Sequence, residues 1–222
     1  MSTFRVILAK DLRVELRTLQ SVPAMALFAL TTFVLFLCGL DRESLSGSLA
    51  AGVILATVLF AAILAINRLF VAEREEGGFD AIRLAPADPA ALFAAKAVAL
   101  IVYLAALEAV ALPAFGFLFL DEWAGLVPLA GVLLLTDLGL AAVGVLVSAI
   151  GVNSRARELI VPLLLLPLIV PVMIAAAGAA EPLLAGGGPE YDEVGKWVAM
   201  LALYDAVFLA VGYAVYDFLL ED

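Results

Sequence analysis

The sequence predicts an all-α membrane protein with six transmembrane helices, an amphipathic helix before the first span and a short helix between the second and third spans. Hydrophobic residues make up 65% of the 222 residues, and the mean hydropathy is +1.15. Soluble domains are typically about half apolar. Apolar runs of about 20 residues recur along the chain, and each is long enough to cross roughly 30 Å of hydrocarbon.

The N-terminal segment differs from the runs that follow it. Residues 3–20 place Phe4 and several leucines at helical spacing, with basic residues at the polar positions between them. This pattern predicts an interfacial amphipathic helix within residues 1–21, although a soluble helix packed on another subunit is the alternative. We expect one transmembrane domain over residues 1–222, with spans at about 22–40, 48–70, 91–120, 125–150, 159–180 and 196–219.

The distribution of lysine and arginine predicts the orientation of these spans. If the N-terminus is inside, two basic residues, Arg42 and Lys196, fall outside. The ten that fall inside are Arg5, Lys10, Arg13, Arg17, Arg68, Arg74, Arg83, Lys96, Arg155 and Arg157. We therefore expect a multi-pass protein of a prokaryotic plasma (inner) membrane, with both termini in the cytoplasm.

The charge-dense segment 67–90 is then cytoplasmic, and its sequence predicts a short helix. A polar tail ends at a Gly-Gly pair, 77–78, which suits a helix C-cap. Residues 79–84 place apolar side chains about one turn apart, Pro86 stops that run, and Asp-Pro at 88–89 starts the next helix. We interpret the short helix as a coupling helix on which a separate ATPase acts, through Glu75, Glu76, Gly77, Phe79, Ile82, Leu84 and Pro86.

The chain carries no nucleotide-binding motif of its own. Its nearest approach to a P-loop is Gly195-Lys196-Trp197, where Trp197 replaces the Ser or Thr that holds Mg²⁺ and Glu190 replaces the first glycine. We therefore expect a non-catalytic subunit. With one cysteine, Cys38, and no histidine, the chain holds neither a disulfide nor a Cys/His metal cluster.

Three carboxylates lie inside predicted spans: Glu108, Asp137 and Asp205. Each costs about 2.5–3.5 kcal/mol at a helix centre, so we expect all three to face protein or water and not lipid. Two interpretations stay open. The carboxylates form a proton or cation path, or they are structural groups that bond between helices or to a partner subunit.

The fifth predicted span contains three prolines, Pro162, Pro167 and Pro171. Each proline removes one backbone hydrogen bond and crowds the preceding turn, which membrane helices tolerate because neighbours satisfy the freed carbonyls. The prolines form either a hinge that transmits movement across the bilayer or a static kink.

Two blocks of sequence resemble the cytochrome c maturation protein B (haem exporter protein B) family. The first block contains Glu76-Gly77, Leu84, Pro86 and Lys96, and the second is LIVPLLLLPLIVPVMIA, residues 159–175. Members of this family are permease-like subunits of an ABC-type complex that handles haem. The predicted length, six spans and amphipathic N-terminal helix agree, so the resemblance covers essentially the whole chain.

The resemblance implies an ABC-2-type permease-like fold and a set of partners. These are a cytoplasmic ABC ATPase that binds Mg-ATP, a second membrane subunit that handles haem, and an extracytoplasmic haem chaperone. The chain itself is expected to couple ATP hydrolysis to haem delivery or to release of the haem-loaded chaperone. Because it lacks histidine, the usual axial ligand, we expect it to bind no haem or other cofactor directly.

Other functions fit the same residues. A generic ABC-2 exporter permease would also have a charged inner segment, and an ion-coupled secondary transporter would use the intramembrane carboxylates. A non-transporting scaffold is a third alternative. A nucleic-acid partner is not expected, because the net charge is −10 and no basic face is evident.

Overall fold

A computed structural model describes residues 3–40, 42, 44–70, 89–151 and 157–221. Within these ranges the chain forms seven helices and no strand. The helices are α1 (Thr3–Thr18), α2 (Ser21–Leu40), α3 (Gly47–Arg68), α4 (Pro89–Phe119), α5 (Leu126–Gly151), α6 (Arg157–Leu183) and α7 (Val194–Glu221). The helices α2 to α7 are long and apolar enough to cross a membrane. The predicted fold class, all-α with six spans, is confirmed.

The spans are helical because their apolar sequences lie in lipid. Lipid offers no hydrogen-bonding partner, so each spanning segment satisfies its own backbone groups as a helix. The spans begin and end within a few residues of their predicted bounds. Four prolines lie within α6 and one, Pro113, lies within α4, and both helices continue through them.

The helix α5 lies at the centre of the bundle and contacts α3, α4, α6 and α7. Most of α5 and α3 is buried, whereas few residues of α2 and α7 are buried. Gly144 lets α5 approach closely, because a Cβ there would lie 2.7 Å from Cδ1 of Ile66 and 3.4 Å from Cδ2 of Leu100. This position brings α3, α4 and α5 together.

Consecutive spans run between two ends of the bundle. At one end, which we call the Leu45 end, the chain before α3 meets the ends of α4 and α6. The Leu45 amide donates to the Phe119 carbonyl at 2.7 Å, and the Gly47 amide donates to the Leu184 carbonyl at 2.6 Å. Gly47 has a φ of +57°, a left-handed conformation that favours glycine. The opposite end, which contains Asp11, Gln20, Arg68, Leu69 and Lys96, is called the Lys96 end.

Candidate functional site at the Lys96 end of the bundle

The coupling residues expected from the sequence lie outside the described residues. These are Glu75, Glu76, Gly77, Phe79, Ile82, Leu84 and Pro86, and their role stays a prediction. The structure describes the chain on either side of them. The helix α3 ends at Arg68 and is followed by Leu69 and Phe70, both buried, and α4 begins at Pro89.

Lys96 joins these two flanking parts of the chain. It lies two turns into α4 and is only 1% exposed. Its Nζ donates to the carbonyl of Leu69 at 3.1 Å and lies 5.0 Å from the centre of the Phe70 ring. A buried ammonium group is stable only with hydrogen-bonding partners and a counter-charge. Lys96 therefore holds the end of α3 against the first turns of α4.

The counter-charge comes from α1. The Nζ of Lys96 lies 3.0 Å from Oδ2 of Asp11, which is itself 8% exposed. The hydroxyl of Tyr103, two turns further along α4, donates to the backbone carbonyl of Asp11 at 3.1 Å. Lys10 contacts the other oxygen of Asp11 at 3.2 Å, but its side chain is 46% exposed. The helix α1 is thus bound to α4 by a buried ion pair and a hydrogen bond.

The corner between α1 and α2 is fixed by a second carboxylate. Oε1 of Glu15 accepts hydrogen bonds from the backbone amides of Ser21 and Val22, both at 2.9 Å. These are amides at the start of α2, where helix geometry provides no internal partner, and the negative charge also suits the positive end of the helix dipole. Leu19, inside the corner, has a φ of +49°. The direction of α2 is therefore set by α1.

Two further contacts tie the end of α3 to its neighbours. Nη1 of Arg68 donates to the backbone carbonyl of Gln20 at 2.9 Å, which joins the end of α3 to the α1–α2 corner. The hydroxyl of Ser148 in α5 donates to the carbonyl of Ile66 at 3.1 Å. The Lys96 end is thus a network that includes α1, α3, α4, α5 and the start of α2.

The three intramembrane carboxylates are buried in protein, at 4% exposure for Glu108, 0% for Asp137 and 1% for Asp205. The carboxyl groups of Glu108 in α4 and Asp137 in α5 lie close to each other. A hydrogen bond between them would need one carboxyl group to carry a proton, because a carboxylate only accepts. Among the described residues, no donor reaches either oxygen of Asp137 or Oε1 of Glu108.

Asp205 occupies a different position from this pair. Its Oδ1 lies against α5, where a Cβ at Gly139 would be 2.6 Å away, and both of its oxygens lack a donor among the described residues. Gly139 is two residues from Asp137, and such residues point to different faces of a helix. The described residues contain no group of three His, Cys, Asp or Glu side chains able to hold a metal ion. The role of the three carboxylates stays a prediction.

The predicted hinge prolines, Pro162, Pro167 and Pro171, lie within the continuous helix α6. Pro167 lines an apolar groove of about 420 Å³ between α3 and α6, together with Leu59 and Met173. The side chains that line the groove are apolar, so lipid chains or another protein surface can pack against them. Whether the prolines flex stays a prediction.

Asp11, Glu15 and Tyr103 belong to the network at the Lys96 end but were not expected from the sequence. Asp11 lies three residues after Leu8 and directly before Leu12, so it falls on the apolar face of the predicted amphipathic helix. A carboxylate on that face, in a chain with Lys96 inside a predicted span, indicates a buried partner. The bonds of Glu15 depend on the α1–α2 corner, for which the sequence offers no comparable signal.

Known proteins resemble this chain over most of its length. The family model described as "CcmB protein" matches residues 2–217. "Heme exporter protein B" of Bradyrhizobium diazoefficiens is 29% identical over 188 residues, which cover 84% of each chain. The proteins of the same name from Paracoccus denitrificans and Rhodobacter capsulatus are each 30% identical. Those alignments cover 83% and 78% of this chain, and 85% and 80% of the relatives. The chain belongs to the CcmB protein family.

Proposed function

We propose that this chain is the membrane subunit of a haem exporter complex that acts in cytochrome c maturation. The observation that carries the proposal is the family match over residues 2–217, together with relatives named heme exporter protein B that align along most of their length. On this proposal the chain lies in the prokaryotic plasma membrane with the Lys96 end in the cytoplasm. Ten of its twelve basic residues then lie on the cytoplasmic side.

The proposed task of the chain is mechanical. A cytoplasmic ABC ATPase binds and hydrolyses Mg-ATP, and its movement reaches the chain through the predicted coupling residues between Phe70 and Pro89. Support comes from both flanks of that segment, because Lys96 fastens the end of α3 to α4 through the Leu69 carbonyl. Because the ends of α3 and α4 that flank the coupling residues are held together, a displacement of the coupling residues moves both helices and, with them, the bundle.

Haem itself is handled by other parts of the complex on this proposal. The chain has no histidine, so the usual axial ligand comes from a second membrane subunit. ATP hydrolysis then drives haem delivery, or release of a haem-loaded chaperone, on the extracytoplasmic side. The Leu45 end faces that side, and its exposed residues include Asp121, Glu122 and Glu190.

The coupling proposal is tested by placing a charge in the predicted coupling helix. In Ile82→Asp we expect the protein to insert normally, while the ATPase no longer co-purifies from native membranes, because a buried unpaired carboxylate opposes docking. Tyr191→Asp is the matched control, since Tyr191 is 60% exposed at the Leu45 end. The control retains the ATPase. Unchanged ATPase recovery with Ile82→Asp would remove the coupling claim.

A second candidate function is favoured by the contact between Glu108 and Asp137. Neighbouring carboxyl groups inside a membrane are typical of proton-coupled transport. An ion-coupled transporter would work without an ATPase, so liposomes that contain this chain alone would show flux driven by a pH gradient. We expect no such flux. A flux abolished by Asp137→Asn would favour the second candidate.

A further inference from the structure

We propose that Lys96 is a positioning residue that makes α1 part of the coupling unit. The Asp11–Lys96 ion pair joins α1 to the ends of α3 and α4, so the three helices move as one body at the Lys96 end. The Glu15 contacts then pass the displacement of α1 to α2. This inference rests on the proposed function, because it assigns a path to movement that a partner ATPase supplies.

The burial of the ion pair sets Asp11 apart from the other charges of α1. An interfacial helix that only rests on a membrane directs its charges to water and its apolar face to lipid. Asp11 points instead into the bundle, where its partner Lys96 is 1% exposed. Separating α1 from α4 would break this buried ion pair, and breaking a buried pair is strongly unfavourable. The pair therefore keeps α1 and α4 together during movement.

The link continues from α1 into α2 through two rigid contacts. Glu15 accepts from the amides of both Ser21 and Val22, so α2 cannot pivot about its first turn without breaking two charge-assisted hydrogen bonds. Arg68 bonds the carbonyl of Gln20 in the same corner, which fastens the corner to the end of α3 as well. A displacement of α3 and α4 at this end is thus imposed on the start of α2.

The position of α2 makes it suited to carry that displacement across the membrane. It packs against α3 and α4 at the edge of the bundle, and few of its residues are buried. A peripheral helix can shift with less loss of packing than the buried α5. The chain that follows α2 reaches the Leu45 end, where the Leu45 amide bonds the Phe119 carbonyl. Movement at the Lys96 end is therefore delivered to the opposite side of the membrane.

The experiment replaces Lys96 by Met in the intact complex in native membranes. We expect about tenfold less haem-stained cytochrome c per unit of chain, while ATPase co-purification and basal ATP hydrolysis stay at the wild-type level. Lys96→Arg, which keeps the charge, restores most of the cytochrome c. Lys10→Met is the matched control, because Lys10 also contacts Asp11 but its side chain is about half exposed, and such pairs contribute little.

Two outcomes would overturn the inference. Lys96→Met with normal cytochrome c at equal amounts of chain would show that the link is dispensable. Loss of the ATPase together with cytochrome c would assign Lys96 to docking instead of transmission. Both differ from a failure of the proposed function, in which the wild-type complex itself contains no ATPase or cells without the chain mature cytochrome c normally.

A cross-link decides the question if Lys96→Met does not accumulate. Gln20→Cys and Arg68→Cys, in a Cys38→Ser background, place one thiol in the α1–α2 corner and one at the end of α3. Both positions are exposed. Arg68→Cys removes the Arg68–Gln20 bond, and the cross-link replaces it. Because these parts move as one body, joining them with a short bis-maleimide before cytochrome c synthesis is induced leaves maturation at or above the level of the unreacted double-cysteine protein. Loss of maturation only after cross-linking would overturn the inference.

Discussion

Gly144 offers a direct test of how tightly the central helix packs. In Gly144→Ala the added Cβ would lie 2.7 Å from Cδ1 and 2.9 Å from Cγ1 of Ile66. Carbon atoms in contact are normally separated by at least about 3.5 Å, so the overlap with Cδ1 is about 0.8 Å. Ile66 is fully buried and its carbonyl is bonded to Ser148, so it cannot move away freely.

The size of the effect follows from comparison with a second glycine of α5. A Cβ at Gly131 would meet nothing within 4 Å, so Gly131→Ala changes helix propensity alone. The propensity gain of about 1 kcal/mol is common to both variants and cancels in their difference. What remains is the overpacking cost, about 2 kcal/mol, by which Gly144→Ala is the less stable variant.

Thermal unfolding of the purified protein in detergent, followed by tryptophan fluorescence, measures this difference. For a chain of this length about 2 kcal/mol corresponds to a Tm about 4–8 °C lower for Gly144→Ala than for Gly131→Ala. Equal Tm values would refute the close approach of α5 to α3. A Gly144→Ala variant with the higher Tm would show that a void, not a tight contact, lies at this position.

Two other substitutions test the packing and the buried charges in the same assay. Phe33 is fully buried, with its ring centre 5.7 Å from that of Phe115 and 5.9 Å from that of Phe119, so Phe33→Ala lowers the free energy of unfolding by about 3–5 kcal/mol. The control is Leu35→Ala, in the same helix but at a position that is 67% exposed. It changes the free energy of unfolding by no more than about 0.5 kcal/mol. Similar losses in both variants would contradict the assignment of the buried face of α2. Asp137→Leu raises the Tm, because both oxygens of Asp137 lack a donor among the described residues and each unpartnered buried polar group costs about 1–3 kcal/mol. The exposed control Asp121→Leu leaves the Tm nearly unchanged. A lower Tm for Asp137→Leu would show that the carboxyl group has a partner that it needs.

The spans were predictable because few backbone conformations can cross a bilayer. A run of about 20 apolar residues has to be a helix in lipid, whatever its neighbours are. The sequence therefore placed α2 to α7 within a few residues of where they lie. The same argument required Glu108, Asp137 and Asp205 to avoid lipid, and all three are buried in protein.

The network at the Lys96 end was not predictable in the same way. Lys96 carried a signal, since an ammonium group inside a span needs a counter-charge. Its partner Asp11 lies 85 residues earlier, in a helix that the sequence predicts to lie on the membrane surface. Residues so far apart meet only because α1 folds back onto α4, and helical periodicity reports nothing about that packing.

The contact between Glu108 and Asp137 shows a further limit of the sequence. Periodicity along α4 and α5 shows on which face of its own helix each carboxyl group lies. It does not show whether the two faces meet. Pairing depends on the rotation of the two helices about their axes, which is fixed by shape at close-packed positions such as Gly144. A membrane helix that is apolar on nearly every side shows little contrast between its faces, so its sequence specifies that rotation poorly.

The central claim is that the Lys96 end faces a cytoplasmic ATPase and receives its movement. Single cysteines at Arg83 and, as the control for the other side, at Glu190 in a Cys38→Ser background test it through labelling with a membrane-impermeant maleimide. In right-side-out membranes we expect label at position 190 and none at position 83, and in inverted membranes the reverse. Label at position 83 from the extracytoplasmic side only would contradict the account, because the predicted coupling residues would then face away from the ATPase.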